Sequence, residues 1–169
     1  MTRALMVIMI AAALLIISAG ANASVLIGHG YTCTDTAITM PDFAFLGGFD
    51  LLPNGNFVIN DGYTIREVDH SGKDVQTFFT FPQPVMGSFV RCDKGTLYFG
   101  ESSTGGIYVL PPRRGGRAVI LTSLANNFDM DLCNSKPYVV AGSTIYALNG
   151  DGTATAVASA PGYSGPLAF

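Results

Sequence analysis

A threefold internal repeat of about 40 residues is the feature that most constrains how this chain folds. A marker phenylalanine recurs at spacings of 40 and 39 residues, at Phe49, Phe89 and Phe128. An isoleucine that opens a later apolar run recurs at spacings of 42 and 38 residues, at Ile65, Ile107 and Ile145. Because both landmarks return in the same order, we expect three similar structural units in a row.

Each repeat contains four short runs that are typical of β-strands. In the first repeat these are a run that contains Phe49, then residues 57–59, 65–68 and 75–79, all rich in β-branched or aromatic residues. Asn-Gly, Lys-Gly and Asp-Gly pairs stand between such runs and favour tight hairpin turns. Four strands in about 40 residues predict one blade of a β-propeller. A sandwich of short strands is the alternative fold.

The order of these runs resembles the NHL-type repeats and the wider six-bladed group that includes the SMP-30/gluconolactonase proteins. The resemblance rests on a Gly-containing turn, a Leu-Tyr-Phe strand at 97–99 and an Ile-Tyr-Val-Leu strand at 107–110. It covers about residues 43–169. The Gly-His and Trp-Asp dipeptides of WD40 blades are absent, and the chain has no Trp. The resemblance implies an all-β propeller.

The repeats divide the chain into six segments. We expect a signal peptide, an N-terminal segment that is a candidate ring-closing strand, three blades and the start of a fourth, at 1–23, 24–47, 48–86, 87–126, 127–164 and 165–169. Three blades are fewer than the roughly four to eight of a closed ring. We therefore expect either an N-terminal fragment of a longer protein or, if the chain is complete, self-association.

The first 23 residues have the order of a bacterial secretory signal peptide. Arg3 supplies a positive charge, residues 4–17 are almost entirely apolar, and Ala21 and Ala23 suit signal peptidase. An uncleaved membrane anchor is the alternative, but the run is shorter than the roughly 20 residues of a spanning helix. We expect a secreted protein of the periplasm or cell surface, with no membrane contact by the mature part.

Charge argues against a nucleic-acid partner. The formal net charge is −3, and the one basic cluster, at 113–117, is expected in a solvated turn. A low charged fraction of 12% with many aromatic and β-branched residues also argues against a disordered chain. The expected partner is an unidentified protein, glycan or small ligand that binds at the channel face of the propeller.

The three cysteines leave at least one thiol unpaired within the chain. Cys92 and Cys133 both lie near the first turn of adjacent repeats, which makes them a candidate disulfide in an exported protein. Pairing of Cys33 with a residue outside this sequence is a comparable alternative.

The sequence contains no recognisable catalytic constellation. It has neither a Gly-x-Ser-x-Gly elbow nor a His-Glu-x-x-His motif. His29 and His70 stand in a Gly-rich segment and a predicted turn. We therefore expect a binding or scaffold domain with no catalytic residue and no cofactor.

Carboxylates near the predicted channel give an alternative function. Asp50 and Asp129 occupy the same position when the repeats are aligned on the marker phenylalanine, and Glu101 follows the second strand of its repeat. Radial repetition would bring such groups toward one axis, where oxygen ligands suit a hard cation. The resemblance to the SMP-30/gluconolactonase group implies a metal-dependent lactonase or related hydrolase, with Ca²⁺ or Zn²⁺ held by Asp50, Asp129 and Glu101.

Overall fold

A computed structural model of the chain describes five stretches, namely 38–41, 46–112, 116–159, 161–162 and 165–169. All of them belong to one compact unit, Thr36–Phe169. The predicted signal peptide, Cys33 and most of the segment 24–47 lie outside the described residues. Within the described part of the chain there is no helix with the length and apolar character needed to cross a membrane.

Regular structure in the described residues consists of twelve β-strands. They are β1 (Gly48–Leu51), β2 (Phe57–Asn60), β3 (Thr64–Val68), β4 (Asp74–Thr80), β5 (Gly87–Asp93), β6 (Thr96–Glu101), β7 (Gly106–Leu110), β8 (Val119–Ser123), β9 (Asn127–Cys133), β10 (Lys136–Ala141), β11 (Thr144–Leu148) and β12 (Ala154–Ser159).

The strands form three separate four-stranded antiparallel sheets in which each strand pairs with its neighbours in sequence. The strands β1–β4, β5–β8 and β9–β12 make blades 1, 2 and 3, which lie within the segments 48–86, 87–126 and 127–164. The first strands of the blades lie side by side, because β5 contacts both β1 and β9. The prediction of an all-β, propeller-type chain with about three four-stranded blades is confirmed.

Two of the hairpins turn through residues in the left-handed backbone region. Lys94 and Gly95 join β5 to β6 with φ values of 51° and 85°. Asn134 and Ser135 join β9 to β10 with φ values of 53° and 60°. Two consecutive positive φ values match the twist of antiparallel strands, which explains why such short polar pairs follow β5 and β9.

The strand registers correct the alignment of the repeats. In each blade one residue of the second strand pairs with the repeated isoleucine of the third strand, and these residues are Asn60, Gly100 and Val140. Their partners on the first strands are therefore equivalent to one another, and these are Gly48, Phe89 and Asp129. The marker phenylalanines are therefore not equivalent, and neither are Asp50 and Asp129. The physical reason is that the first turns differ in length, since five residues separate the paired residues Leu51 and Phe57 but only four separate the equivalent pair Cys92 and Leu97. In addition, β5 and β9 contain β-bulges at Ser88 and Phe128, just before Phe89 and Asp129.

The hydrophobic core consists of two clusters, one for each pair of adjacent blades. Blades 1 and 2 bury Val58, Ile65, Phe81, Val90, Leu97, Phe99 and Leu110. Blades 2 and 3 bury Phe89, Ile107, Met130, Val139 and Leu148. Each large side chain removed from water contributes roughly 1.5–3 kcal/mol, so stability arises mainly where blades meet.

Candidate binding cleft

An open cleft of about 580 Å³ lies along the first strands of the three blades. Its volume falls within the roughly 300–1,000 Å³ of small-molecule sites. Part of its wall is formed by Gly47, Gly48, Gly165 and Pro166. The other residues that line it are Phe49, Asp50, Ser88, Arg91, Phe128 and Asp129.

Asp50 joins blade 1 to blade 2 at the cleft. Its Oδ1 accepts the N–H of Leu51 at 2.8 Å, and its Oδ2 accepts the N–H of Cys92 at 2.7 Å. Asp131 repeats this arrangement in blade 3, where Oδ1 accepts the N–H of Leu132 and Oδ2 that of Phe169, both at 2.8 Å. Residues 165–169 therefore donate to blade 3 a hydrogen bond equivalent to the one that blade 2 donates to blade 1.

Sequence reasoning missed Asp131, although a local signal was present. The dipeptide Asp-Leu occurs at 50–51 and again at 131–132. The strand registers place Asp50, Arg91 and Asp131 at equivalent positions in the three blades. Alignment on Asp-Leu rather than on phenylalanine would have found the pair.

Arg91 makes the corresponding connection from blade 2 to blade 3 by an ion pair. Its Nη2 lies 2.7 Å from Asp129 Oδ1, and its Nη1 donates to the carbonyl oxygen of Val90 at 2.9 Å. The other carboxylate oxygen of Asp129 accepts the N–H of Leu167 at 2.8 Å. The charged side chains of the cleft thus hold its walls together as well as lining it.

The two bulged residues, Ser88 and Phe128, both face the cleft. A β-bulge changes the direction of a side chain relative to a regular strand. Phe128 is 43% exposed and Phe49, on β1, is 60% exposed. Neither phenyl ring stacks on another aromatic ring among the described residues. The cleft therefore combines exposed rings with charged and hydroxyl groups.

The structure brings together two of the three residues that sequence analysis assigned to a metal. Asp50 and Asp129 line the cleft, and Glu101 does not. The carboxylate of Glu101 is turned into its own loop, where it accepts the N–H groups of Thr104 at 2.9 Å and Gly106 at 2.8 Å. In the described residues no group of three His, Cys, Asp or Glu side chains is arranged to hold a metal ion. The metal site stays a prediction.

Glu101 is an ionised buried carboxylate. Only 1% of its surface is exposed. Burial raises its pKa, but hydrogen bonds from Thr104, Gly106 and Ser103 outweigh that effect, and the pKa lies below its ordinary value. This carboxylate stabilises the β6–β7 connection.

Cys92 and Cys133 are both free thiols in this structure, and their pairing stays a prediction. The strand registers match Cys92 with Leu132 rather than with Cys133. Burial raises the pKa of the Cys92 thiol. Cys92 instead packs against the core between blades 1 and 2.

Comparison with known proteins supports the fold and leaves the family open. No protein-family model matches the sequence, and a search of curated proteins gave no match. The computationally designed Ika4 protein is similar in structure, with 14% identity over 81% of this chain and 88% of that chain, at a TM-score of 0.54. A protein of unknown function from Bacteroides caccae has 21% identity over 74% of this chain and 49% of that chain, at a TM-score of 0.51.

Virginiamycin B lyase from Staphylococcus aureus gives a weaker match. It has 17% identity over 65% of this chain and 40% of that chain, at a TM-score of 0.49. The chain thus spans half or less of the two bacterial proteins and most of the designed one. The resemblance to NHL-type and SMP-30/gluconolactonase repeats stays a prediction.

Proposed function

We propose that this chain is an exported binding module whose ligand lies in the cleft along β1, β5 and β9. The observation that carries the proposal is the pair of β-bulges that direct Ser88 and Phe128 into the cleft. Bulges are over-represented beside functional sites, where they re-aim a side chain. A ligand that covers an exposed phenyl ring in a concave polar site removes apolar surface from water, which favours binding.

The rigidity of the cleft wall also supports a binding role. Asp50 and Arg91 each connect one blade to the next through short hydrogen bonds or an ion pair. Walls that are fixed before the ligand arrives lower the entropic cost of binding. Export and an extracytoplasmic location are part of the proposal and are supported by the signal-peptide pattern of residues 1–23.

Ligand-observed NMR with a library of small polar and aromatic fragments tests the binding role. We expect fragments that bind the native protein and lose binding in the double variant Phe49→Ala/Phe128→Ala. Ile120→Ala is the matched control, because Ile120 is 65% exposed on β8 and does not line the cleft. Fragments that bind the double variant as well as the native protein, or a library without any bound fragment, would contradict the proposal.

A metal-dependent lactonase or related hydrolase is the second candidate, because Asp50 and Asp129 line one cleft. A cation would compete for these oxygens with the N–H groups that they already accept. Calorimetric titration with Ca²⁺ and with Zn²⁺ separates the candidates. Heat of binding that disappears in Asp50→Asn/Asp129→Asn favours the hydrolase, and no heat at millimolar metal excludes it.

A further inference from the structure

We infer that the ligand of this cleft is a neutral saccharide. The inference rests on the proposed binding function and specifies its ligand class. Three properties of the described lining residues support it: the balance of charge, the number of free hydrogen-bonding positions, and the two exposed phenyl rings.

The lining disfavours an anion or a metal ion as the ligand. Two carboxylates, Asp50 and Asp129, face the cleft beside one guanidinium, that of Arg91. Because Arg91 is already paired with Asp129 at 2.7 Å, an anionic ligand would meet a net negative wall. A metal ion finds no group of three His, Cys, Asp or Glu ligands among the residues that the structure describes.

The hydrogen-bonding inventory suits hydroxyl groups. A carboxylate oxygen has two lone pairs, so each oxygen of Asp50 and Asp129 retains one acceptor position beside its protein donor. Arg91 has five N–H groups and uses two of them on Val90 and Asp129, so three have no acceptor in the described part of the chain. A hydroxyl group can donate and accept a hydrogen bond at the same time. Vicinal hydroxyls can therefore pair with the carboxylate acceptors and with the N–H donors of Arg91.

The phenyl rings of Phe49 and Phe128 complete the match. They are 60% and 43% exposed and line the same cleft. A pyranose ring carries hydroxyls at its edge and presents C–H groups on its faces. Aromatic side chains can cover such a face while the edge remains with the polar wall.

Isothermal calorimetry and saturation-transfer NMR with maltose, cellobiose and N,N′-diacetylchitobiose test the inference. We expect at least one of these neutral disaccharides to bind at millimolar concentration or more tightly, and digalacturonate to bind more weakly. Phe128→Ala should weaken binding about tenfold. Arg91→Lys should also weaken it, because lysine lacks the planar fork of donors. Ile120→Ala should leave it unchanged.

The outcomes separate this inference from the proposed function. If none of the three disaccharides binds while fragments bind in the cleft, the saccharide assignment is wrong and the binding function stands. If neither binds, both are wrong. Saccharide binding that persists in Phe49→Ala/Phe128→Ala overturns the assignment to this cleft. Those two rings are exposed, so the double variant is expected to fold, which circular dichroism checks.

Discussion

At the scale of single residues, Glu67 is the side chain whose burial most needs an explanation. It is 2% exposed, and no Lys or Arg of the described residues forms a salt bridge with it. Three carboxamides donate to it instead, Asn54 at 2.8 Å, Asn56 at 2.5 Å and Gln76 at 2.7 Å. Burial raises the pKa of Glu67, but these hydrogen bonds outweigh it and the pKa is lowered.

A lowered pKa in the folded state predicts acid sensitivity. The stabilisation by Glu67 is complete above the pKa of an unfolded Glu, about 4.3, and is lost as the pH falls through the lower folded value. Glu67→Gln should cost about 1–3 kcal/mol at neutral pH, because the new amide group faces three amide donors. The cost should shrink toward pH 3, as urea unfolding at several pH values would show.

The control for this prediction is Asp93→Asn, which removes one carboxylate elsewhere in the molecule. A cost of Glu67→Gln that does not change with pH would show that the charge of Glu67 contributes nothing to folding.

The registers place Val109 and Ala147 at the positions of blades 2 and 3 that are equivalent to Glu67. The blade itself therefore forms without a carboxylate there, and sequence alone gave no reason to select Glu67.

At the scale of elements, the close approach of β2 and β5 depends on Gly87. A Cβ at Gly87 would lie 2.4 Å from Asn60 Oδ1. Asn60 is fully buried and bridges the blades, because its Nδ2 donates to the carbonyl oxygens of Phe89 at 3.0 Å and Gly100 at 2.9 Å. A methyl group at position 87 must displace this bridge.

Gly87→Ala should therefore destabilise the protein by about 2–3 kcal/mol, through overpacking and the lost hydrogen bonds of Asn60. Chemical denaturation measures the change. Gly150→Ala is the matched control, because nothing lies within 4 Å of a Cβ at that glycine. Equal stability of the two variants would mean that the Asn60 bridge does not determine how blades 1 and 2 meet.

The strands and their grouping into blades could be predicted from the sequence, but the register in which the strands pair could not. Apolar runs and Gly-containing pairs located the strands, because hairpin turns restrict which residues can occupy them. The longer β1–β2 turn shifts β1 by one residue relative to β5 and β9, and a one-residue shift reverses the face of every side chain. Asp50 and Asp129 could be placed near the channel from the sequence, but no residue type marks a bulge in advance, so the bulged residues Ser88 and Phe128 could not be assigned to the cleft.

At the scale of the whole molecule, the two blade interfaces differ in the aromatic rings that they bury. Between blades 1 and 2, Phe99 stacks on Tyr108 with ring centroids 5.2 Å apart, and Phe79 and Phe81 pack on both rings. Between blades 2 and 3 the buried cluster has one phenylalanine, Phe89, with aliphatic partners and Met130. In repeat architectures each unit is stabilised by its neighbours, so unequal interfaces give unequal local stability.

We therefore expect blade 3 to unfold locally before the other two blades, and hydrogen exchange measures this opening. We expect backbone amides of β10 and β11 to exchange faster than those of β6 and β7, since blade 2 packs on both neighbours and blade 3 lacks the aromatic cluster. Val139→Ala should accelerate exchange in blade 3 with little effect on blade 1, whereas Phe99→Leu should accelerate it in blades 1 and 2. Uniform protection across the three blades would show one cooperative unit whose stability is not set interface by interface.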